Sequence, residues 1–213
     1  IYLEKSFDGK SLYEELPQII NNSLAHLPIK KLMSYQLNDG WTTVNFVRPI
    51  KNILAVYGDK LVDLECMGLK SVMHTYGHRF ESKHDVLAIH DASLYEKVLL
   101  TEGRVIASFS KRKEKIKTDL NEAVKKINNK FRAITDDKLL EEVTSLVEMP
   151  NILIGEFENQ YLEVPQECLI LTMQSNQKYF PILNDQDELT NYFVIVSNIN
   201  PKNSTNIIEG NEK

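Results

Sequence analysis

The sequence predicts a mixed α/β (α+β) protein of two small lobes, each with a mixed or antiparallel sheet and packed helices. Three observations carry this. Residues 109–131 hold one apolar stripe at helical spacing: Ile116, Leu120, Ala123, Val124, Ile127 and Phe131. Residues 53–64 read as two short strands around a Gly58-Asp59 hairpin turn. Helical and strand patterns alternate along the rest of the chain with no internal repeat or low-complexity run. A chain of 213 residues has room for one sizeable core or two small ones. The long helix suggests the boundary: a first lobe over 1–108 and a second over 109–213, with interleaving of the two left open.

Residues 1–4 read as a short strand and Asp8-Gly9-Lys10 as a turn. Leu12, Leu16, Ile19, Ile20, Leu24 and Leu27 then recur at threes and fours. Pro17 predicts a kink or two short helices, and Pro28 ends the pattern. Trp41, Val44, Phe46 and Val47 mark a strand before Arg48-Pro49. Residues 92–100 fit a helix capped by Ser93, and Val105-Ile106-Ala107 a short strand. Leu139, Leu140, Val143, Leu146 and Val147 form a second amphipathic helix that Pro150 ends. Residues 151–157 return to strand, and Pro165 opens a third helix through Met173. Strands over 178–183 and 192–197 flank the polar turn Asn184-Asp185-Gln186-Asp187-Glu188.

Hydrophobic residues make up 42% of the chain and charged residues 26%, which suits a globular fold rather than a disordered one. The net charge of −5 is not that of a general nucleic-acid binder, so any RNA contact must come from local basic patches. Cys66 and Cys168 lie far apart in apolar settings and read as two buried, reduced thiols. No run of apolar residues is long enough for a membrane span and no signal peptide is visible. A cytoplasmic location follows as an expectation, and the sequon at Asn203 reads as chance. The chain starts at Ile1 without methionine and stops while a helical pattern is under way. Both ends therefore read as cut points within a longer protein.

Four histidines, His74, His78, His84 and His90, fall close together. However, Thr75-Tyr76-Gly77 is a poor helix former, and no cysteine or carboxylate pattern completes a metal site, so no metal ligands are assigned. Around them, Thr75-Tyr76-Gly77-His78-Arg79-Phe80 admits two readings. In one, a turn closes a hairpin with its aromatics in the core. In the other, His78 and Arg79 present donors to phosphate or a base edge while Tyr76 and Phe80 offer stacking faces. The basic run Lys111–Lys117 is interleaved with Glu114 and reads first as a solvated helix face. Gln177-Lys178-Tyr179-Phe180-Pro181 sets a cation and two aromatics at a strand start, with Lys178 facing either RNA or plain solvent. No phosphate-cradling glycine loop and no nucleophile elbow is present, and Glu141-Glu142 reads as a pair of solvent carboxylates. No catalytic residue is assigned.

Several runs together resemble one family, the beta subunit of bacterial heterotetrameric glycyl-tRNA synthetase. They are Ser23–Ile29, Phe46-Val47-Arg48-Pro49, Gly77-His78-Arg79-Phe80, Leu139–Val143 with Leu146–Glu148 and Pro150, Pro165-Gln166-Glu167 with Met173, Gln177–Pro181, Val196-Ser197-Asn198 and Gly210–Lys213. Lys30 stands where the family pattern leads one to expect proline, and Asp187 where a turn glycine is common. The resemblance implies a piece from the N-terminal side of a subunit within an α2β2 ligase that joins glycine to its tRNA. ATP with magnesium would be used at the alpha subunit, and no cofactor is expected in this piece. It implies partners in the alpha subunit and the tRNA for glycine, with no membrane. It also implies likeness to the accessory and editing-type domains of phenylalanyl-tRNA synthetase beta chains. The RNA-binding candidates are Arg48, His78, Arg79 and Lys178. The expected role is tRNA handling and subunit architecture, the alternatives being a hydrolytic editing-type domain or a pure interaction scaffold.

Overall fold

Proline at position 17 does not break the first helix. The computed structural model describes residues 2, 4, 5 and 9–200, and in it α1 runs unbroken over Leu12–Ala25 with Pro17 inside. Ser11 precedes the first turn, and the Glu14 carboxylate accepts both its N–H (3.0 Å) and its hydroxyl (2.9 Å). Those two bonds hold the Glu14 carboxyl below the usual carboxylate range. The strand expected over 1–4, the turn at Asp8-Gly9-Lys10, the Asn203 sequon and the run Gly210–Lys213 lie wholly or partly outside the described residues.

The chain falls into two compact units that interleave in sequence, Ile1–Tyr76 with Val86–Val98, and Gly77–Asp85 with Leu99–Lys213. The sequence suggests a boundary at 108/109 with interleaving left open; here the segment carrying Gly77–Phe80 groups with the later part of the chain.

The first unit contains α1 and short strands: β1 Met33–Gln36, β2 Thr43–Phe46, β3 Ile53–Leu54, β4 Val56–Tyr57, β5 Lys60–Leu61, β6 Glu65–Cys66, β7 Leu69–Val72, β8 His74–Thr75 and β9 Leu87–Ala88. The Gly58-Asp59 turn joins β4 to β5 as the sequence predicts. β2 pairs with the preceding β1, and β3 pairs in parallel with the distant β7. The buried apolar side chains here include Val62, Leu64, Leu87 and Ile89. Ser71 is buried among them and loses nothing by it, since its hydroxyl donates to Val62 O (2.7 Å) and accepts from Leu64 N–H (2.9 Å). α2 spans Tyr95–Thr101 behind a short 3-10 turn, and the division between the units falls within it. The cap is Asp91, not the expected Ser93: its carboxylate accepts both the hydroxyl and the N–H of Ser93, which lowers its pKa.

In the second unit, α3 covers Phe109–Ile127, β10 Arg132–Ala133, α4 Asp137–Leu146, β11 Asn151–Glu156, α5 Gln166–Thr172, β12 Phe180–Leu183 and β13 Leu189–Ser197. The four strands form one antiparallel sheet in the order β10-β12-β13-β11. Strand alternation gives it two apolar faces. Phe180, Ile182 and Val194 pack on one side with Ile116, Leu120 and Val124 of α3 and Leu139, Leu140 and Val143 of α4. Tyr179, Phe193 and Ile195 face the other way with Leu153, Phe157 and Met173. The stripe expected to end at Phe131 ends at Ile127: Asn128 takes an extended backbone, and Phe131 reaches the same core from the loop beyond. Residues 105–107 form no strand. Arg104 adopts a left-handed φ of 55°, and Val105 and Ile106 donate to the carbonyls of Leu99 and Glu148 rather than to a neighbouring strand. Pro165 sits one position before the first turn of α5 as its cap. Asp187 has φ 62°, the left-handed conformation that favours glycine at that turn.

Three outcomes check this packing. Leu120→Ala removes a side chain with no exposure and lowers the unfolding free energy by about 2–5 kcal/mol in chemical denaturation. A Cβ at Gly155 would lie 2.4 Å from the Phe193 ring, itself stacked on Tyr179 at 4.8 Å, so Gly155→Ala costs about 1–3 kcal/mol by the same measurement. The cysteines differ from the expected pair of buried thiols: Cys66 is buried, with its pKa raised by that burial, and Cys168 is exposed. Maleimide labelling of native protein with peptide mapping therefore modifies Cys168 well before Cys66.

Candidate nucleic-acid interface

Gly77 begins the segment of the second unit that carries Arg79. It is a glycine because of close approach: a Cβ there would lie 2.6 Å from backbone atoms of Gly103 and 2.4 Å from Ser82 Oγ. The contact lets His78 N–H donate to Gly103 O at 2.7 Å, and Lys83 N–H donates to Glu102 O at 2.9 Å. Residues 77–83 are thereby tied to the loop that precedes α3.

His78 holds the segment from inside. It is 1% exposed. Its Nδ1 accepts the N–H groups of Phe80 and Glu81, both at 3.2 Å, so that nitrogen carries no proton. The proton is on Nε2, which lies 2.8 Å from the Asn198 carbonyl and donates to it. Asn198 follows β13, and its Oδ1 accepts from Glu148 N–H (2.7 Å) and Met149 N–H (3.2 Å). Glu81 adds a further tie, accepting Asn200 N–H and standing 3.8 Å from Arg104 Nε.

Outside this frame the same segment displays a cation and a ring. Arg79 is exposed, and Phe80 is 69% exposed. The Arg79 guanidinium carbon lies 5.6 Å from the Phe80 ring centroid, a cation–π arrangement. An exposed phenylalanine beside an arginine offers a stacking face and a charged fork of donors together.

The four candidates are placed differently. Arg48 is exposed in the first unit, and His78, Arg79 and Lys178 belong to the second. Arg79 faces outward, but both ring nitrogens of His78 are spent within the fold, so it anchors the segment instead of meeting a ligand. Lys178 ends a widened helical turn over Met173–Gln177 with φ 60°. Its ammonium lies 2.9 Å from Glu142 and donates to Ser175 O at 2.9 Å. The aromatics of the Tyr76–Phe80 run are not core residues, Tyr76 being 40% exposed. Neither Glu141 nor Glu142 is simply solvated: Lys113 binds the first at 3.1 Å and Lys178 the second. Arg112 and Lys115 of the basic run also have internal partners, in the Thr144 and Ile106 carbonyls and in Asp119. No local sequence signal marks Gly103, Glu81 or the mechanical role of Asn198, although Asn198 stands in one of the runs that resemble the family.

A recess of about 560 Å³ lies between α3 and the start of β11, lined in part by Arg104, Lys115, Asp119, Lys126, Asn151 and Asn200. Its lining contains no serine, threonine, cysteine or histidine; its charged and polar groups are those of arginine, lysine, carboxylate and asparagine side chains. Among the described residues no three His, Cys, Asp or Glu side chains are grouped to hold a metal ion. Among them, too, no helix is long and apolar enough to cross a membrane.

The family described as glycyl-tRNA synthetase beta subunit matches residues 1–213. Curated relatives named glycine–tRNA ligase beta subunit agree with it. The protein from Janthinobacterium sp. (strain Marseille) is 47% identical over 213 residues. Those from Acidovorax ebreus (strain TPSY) and Methylobacillus flagellatus are each 46% identical, over 214 and 213 residues. In each case the match takes in 100% of this chain and 30% of the relative. The chain thus spans about 30% of the length of the curated relatives it matches, and over that span it belongs to the glycyl-tRNA synthetase beta-subunit family.

Proposed function

We propose that this chain is part of the beta subunit of a glycine–tRNA ligase and contributes to tRNA handling through the Arg79–Phe80 pair. The observation that carries the reading is the contrast within one short segment. The backbone is fixed by a buried histidine, while the arginine and phenylalanine beside it are left in solvent. A rigid, exposed ring next to a guanidinium suits RNA, whose unstacked bases stack on aromatic and guanidinium planes and whose phosphates accept from arginine. The overall charge of −5 sets the limit: contact is confined to such a patch and does not extend over an acidic surface.

In this proposal the whole ligase joins glycine to its tRNA with ATP, in an assembly with an alpha subunit that holds ATP and magnesium. The family name of the relatives supports the assembly. This chain offers no grouped carboxylates or histidines for a metal among its described residues, and no step is assigned to its side chains beyond RNA contact. Arg48 remains a second candidate contact, in the other unit, and the protein works in the cytoplasm.

The test uses the full-length subunit assembled with its partner chain. Arg79→Ala weakens tRNA binding about tenfold and lowers the slope of log affinity against log salt by about 1, as loss of one phosphate contact requires. Phe80→Ala weakens it by about 1–3 kcal/mol through lost stacking, with the salt slope unchanged. Wild-type tRNA affinity in both variants, measured by filter binding, would refute the proposal.

A further inference from the structure

We infer that Asn198 is a positioning residue for the Arg79–Phe80 pair, acting through His78 without touching either side chain. The inference rests on the reading of that pair as a tRNA contact. Asn198 works in two directions. Its backbone carbonyl accepts Nε2–H of His78 at 2.8 Å, and its side-chain Oδ1 accepts the N–H groups of Glu148 and Met149 at 2.7 and 3.2 Å. The ladder between β13 and β11 ends at the pair Ser197 and Asn151, so the 198 carbonyl lies beyond the last paired residue. The two bonds to Oδ1 hold that carbonyl against the turn entering β11. It is the carbonyl on which the buried imidazole is oriented. The orientation in turn aims Nδ1 at the N–H groups of Phe80 and Glu81. A side chain 120 residues away in sequence therefore sets the backbone that displays Arg79 and Phe80.

The clamp uses only the acceptor oxygen of the carboxamide. Aspartate supplies that oxygen and alanine does not; alanine also leaves two backbone donors without their acceptor. The full-length subunit, assembled with its partner chain, is prepared as Asn198→Ala, Asn198→Asp, Arg79→Ala and the Arg79→Ala/Asn198→Ala double variant. Asn198→Ser, whose hydroxyl is too short to reach both donors, is the second probe should the alanine variant fail to fold. Two quantities are read: amide hydrogen exchange over residues 78–83 without RNA, and tRNA affinity. The expected result is faster exchange over 78–83 and about tenfold weaker tRNA binding for Asn198→Ala. Asn198→Asp stays near wild type in both, and Asn198→Ala costs less affinity once Arg79 is gone than it does in wild type, because only Phe80 is left to be displaced. Unchanged exchange in Asn198→Ala, an aspartate variant as impaired as the alanine one, or fully additive losses in the double variant would each overturn the inference. If Arg79→Ala and Phe80→Ala both keep wild-type affinity, the tRNA reading of the loop fails, and the positioning inference falls with it. Exchange and aspartate rescue then report only on whether the clamp orders the loop.

Discussion

The proposed interface depends on one buried imidazole. A histidine with so little exposure must satisfy both ring nitrogens internally, because an unpaired polar atom in a dry interior carries a penalty of about 1–3 kcal/mol. His78 does so with three backbone groups from two distant parts of the chain. Each bond fixes a different requirement: the carbonyl at 198 selects the tautomer, and the two N–H groups then turn the chain so that residues 79 and 80 point away from the interior. The glycine contact at 77 and 103 supplies the room for this. Surface display at this point is therefore a product of burial one residue earlier.

Charge in the second unit follows a related logic. Much of the basic character of α3 and of the strand entry at 178 is spent within the unit. Arg112 binds backbone carbonyls, while Lys113, Lys115 and Lys178 bind carboxylates. Exposed pairs of this kind contribute little to stability, commonly below about 1 kcal/mol. Their larger effect is on the outer field, because a lysine beside a carboxylate offers little net attraction to a phosphate. Arg79 is set apart by a different neighbour, the aromatic ring of Phe80, and among the described residues no carboxylate is paired with it.

What the residues reveal in advance depends on how local the governing interaction is. The stripe Ile116, Leu120, Val124 and the turn Gly58-Asp59 are fixed by neighbours within a few positions, and both were legible. The parallel pairing of Ile53 with Ser71 and the partner of Thr43–Phe46 were not, since no local pattern names a strand's neighbour. Val105-Ile106-Ala107 has strand composition, but the left-handed residue at 104 turns its donors to other carbonyls. In the candidate site, Gly77 could be read as a point of close approach, but what approaches is Gly103. Arg79 is a candidate in the sequence because its type suits phosphate, and it is exposed in the structure. His78 was chosen for its donors, and the structure shows them engaged inside, a distinction that depends on burial and on a carbonyl contributed by residue 198.

The interleaving of the two units has a consequence for biosynthesis. As the chain leaves the ribosome, residues 77–85 emerge early, while the carbonyl that orients their histidine emerges 120 residues later. The segment must wait for that partner, and contacts of such long sequence separation form late and slowly. Meanwhile the short hairpins of the first unit have their partners close at hand. Until the sheet that ends at residue 197 is closed, a nascent chain lacks the carbonyl that orients His78, and the segment that displays Arg79 and Phe80 cannot take its final geometry.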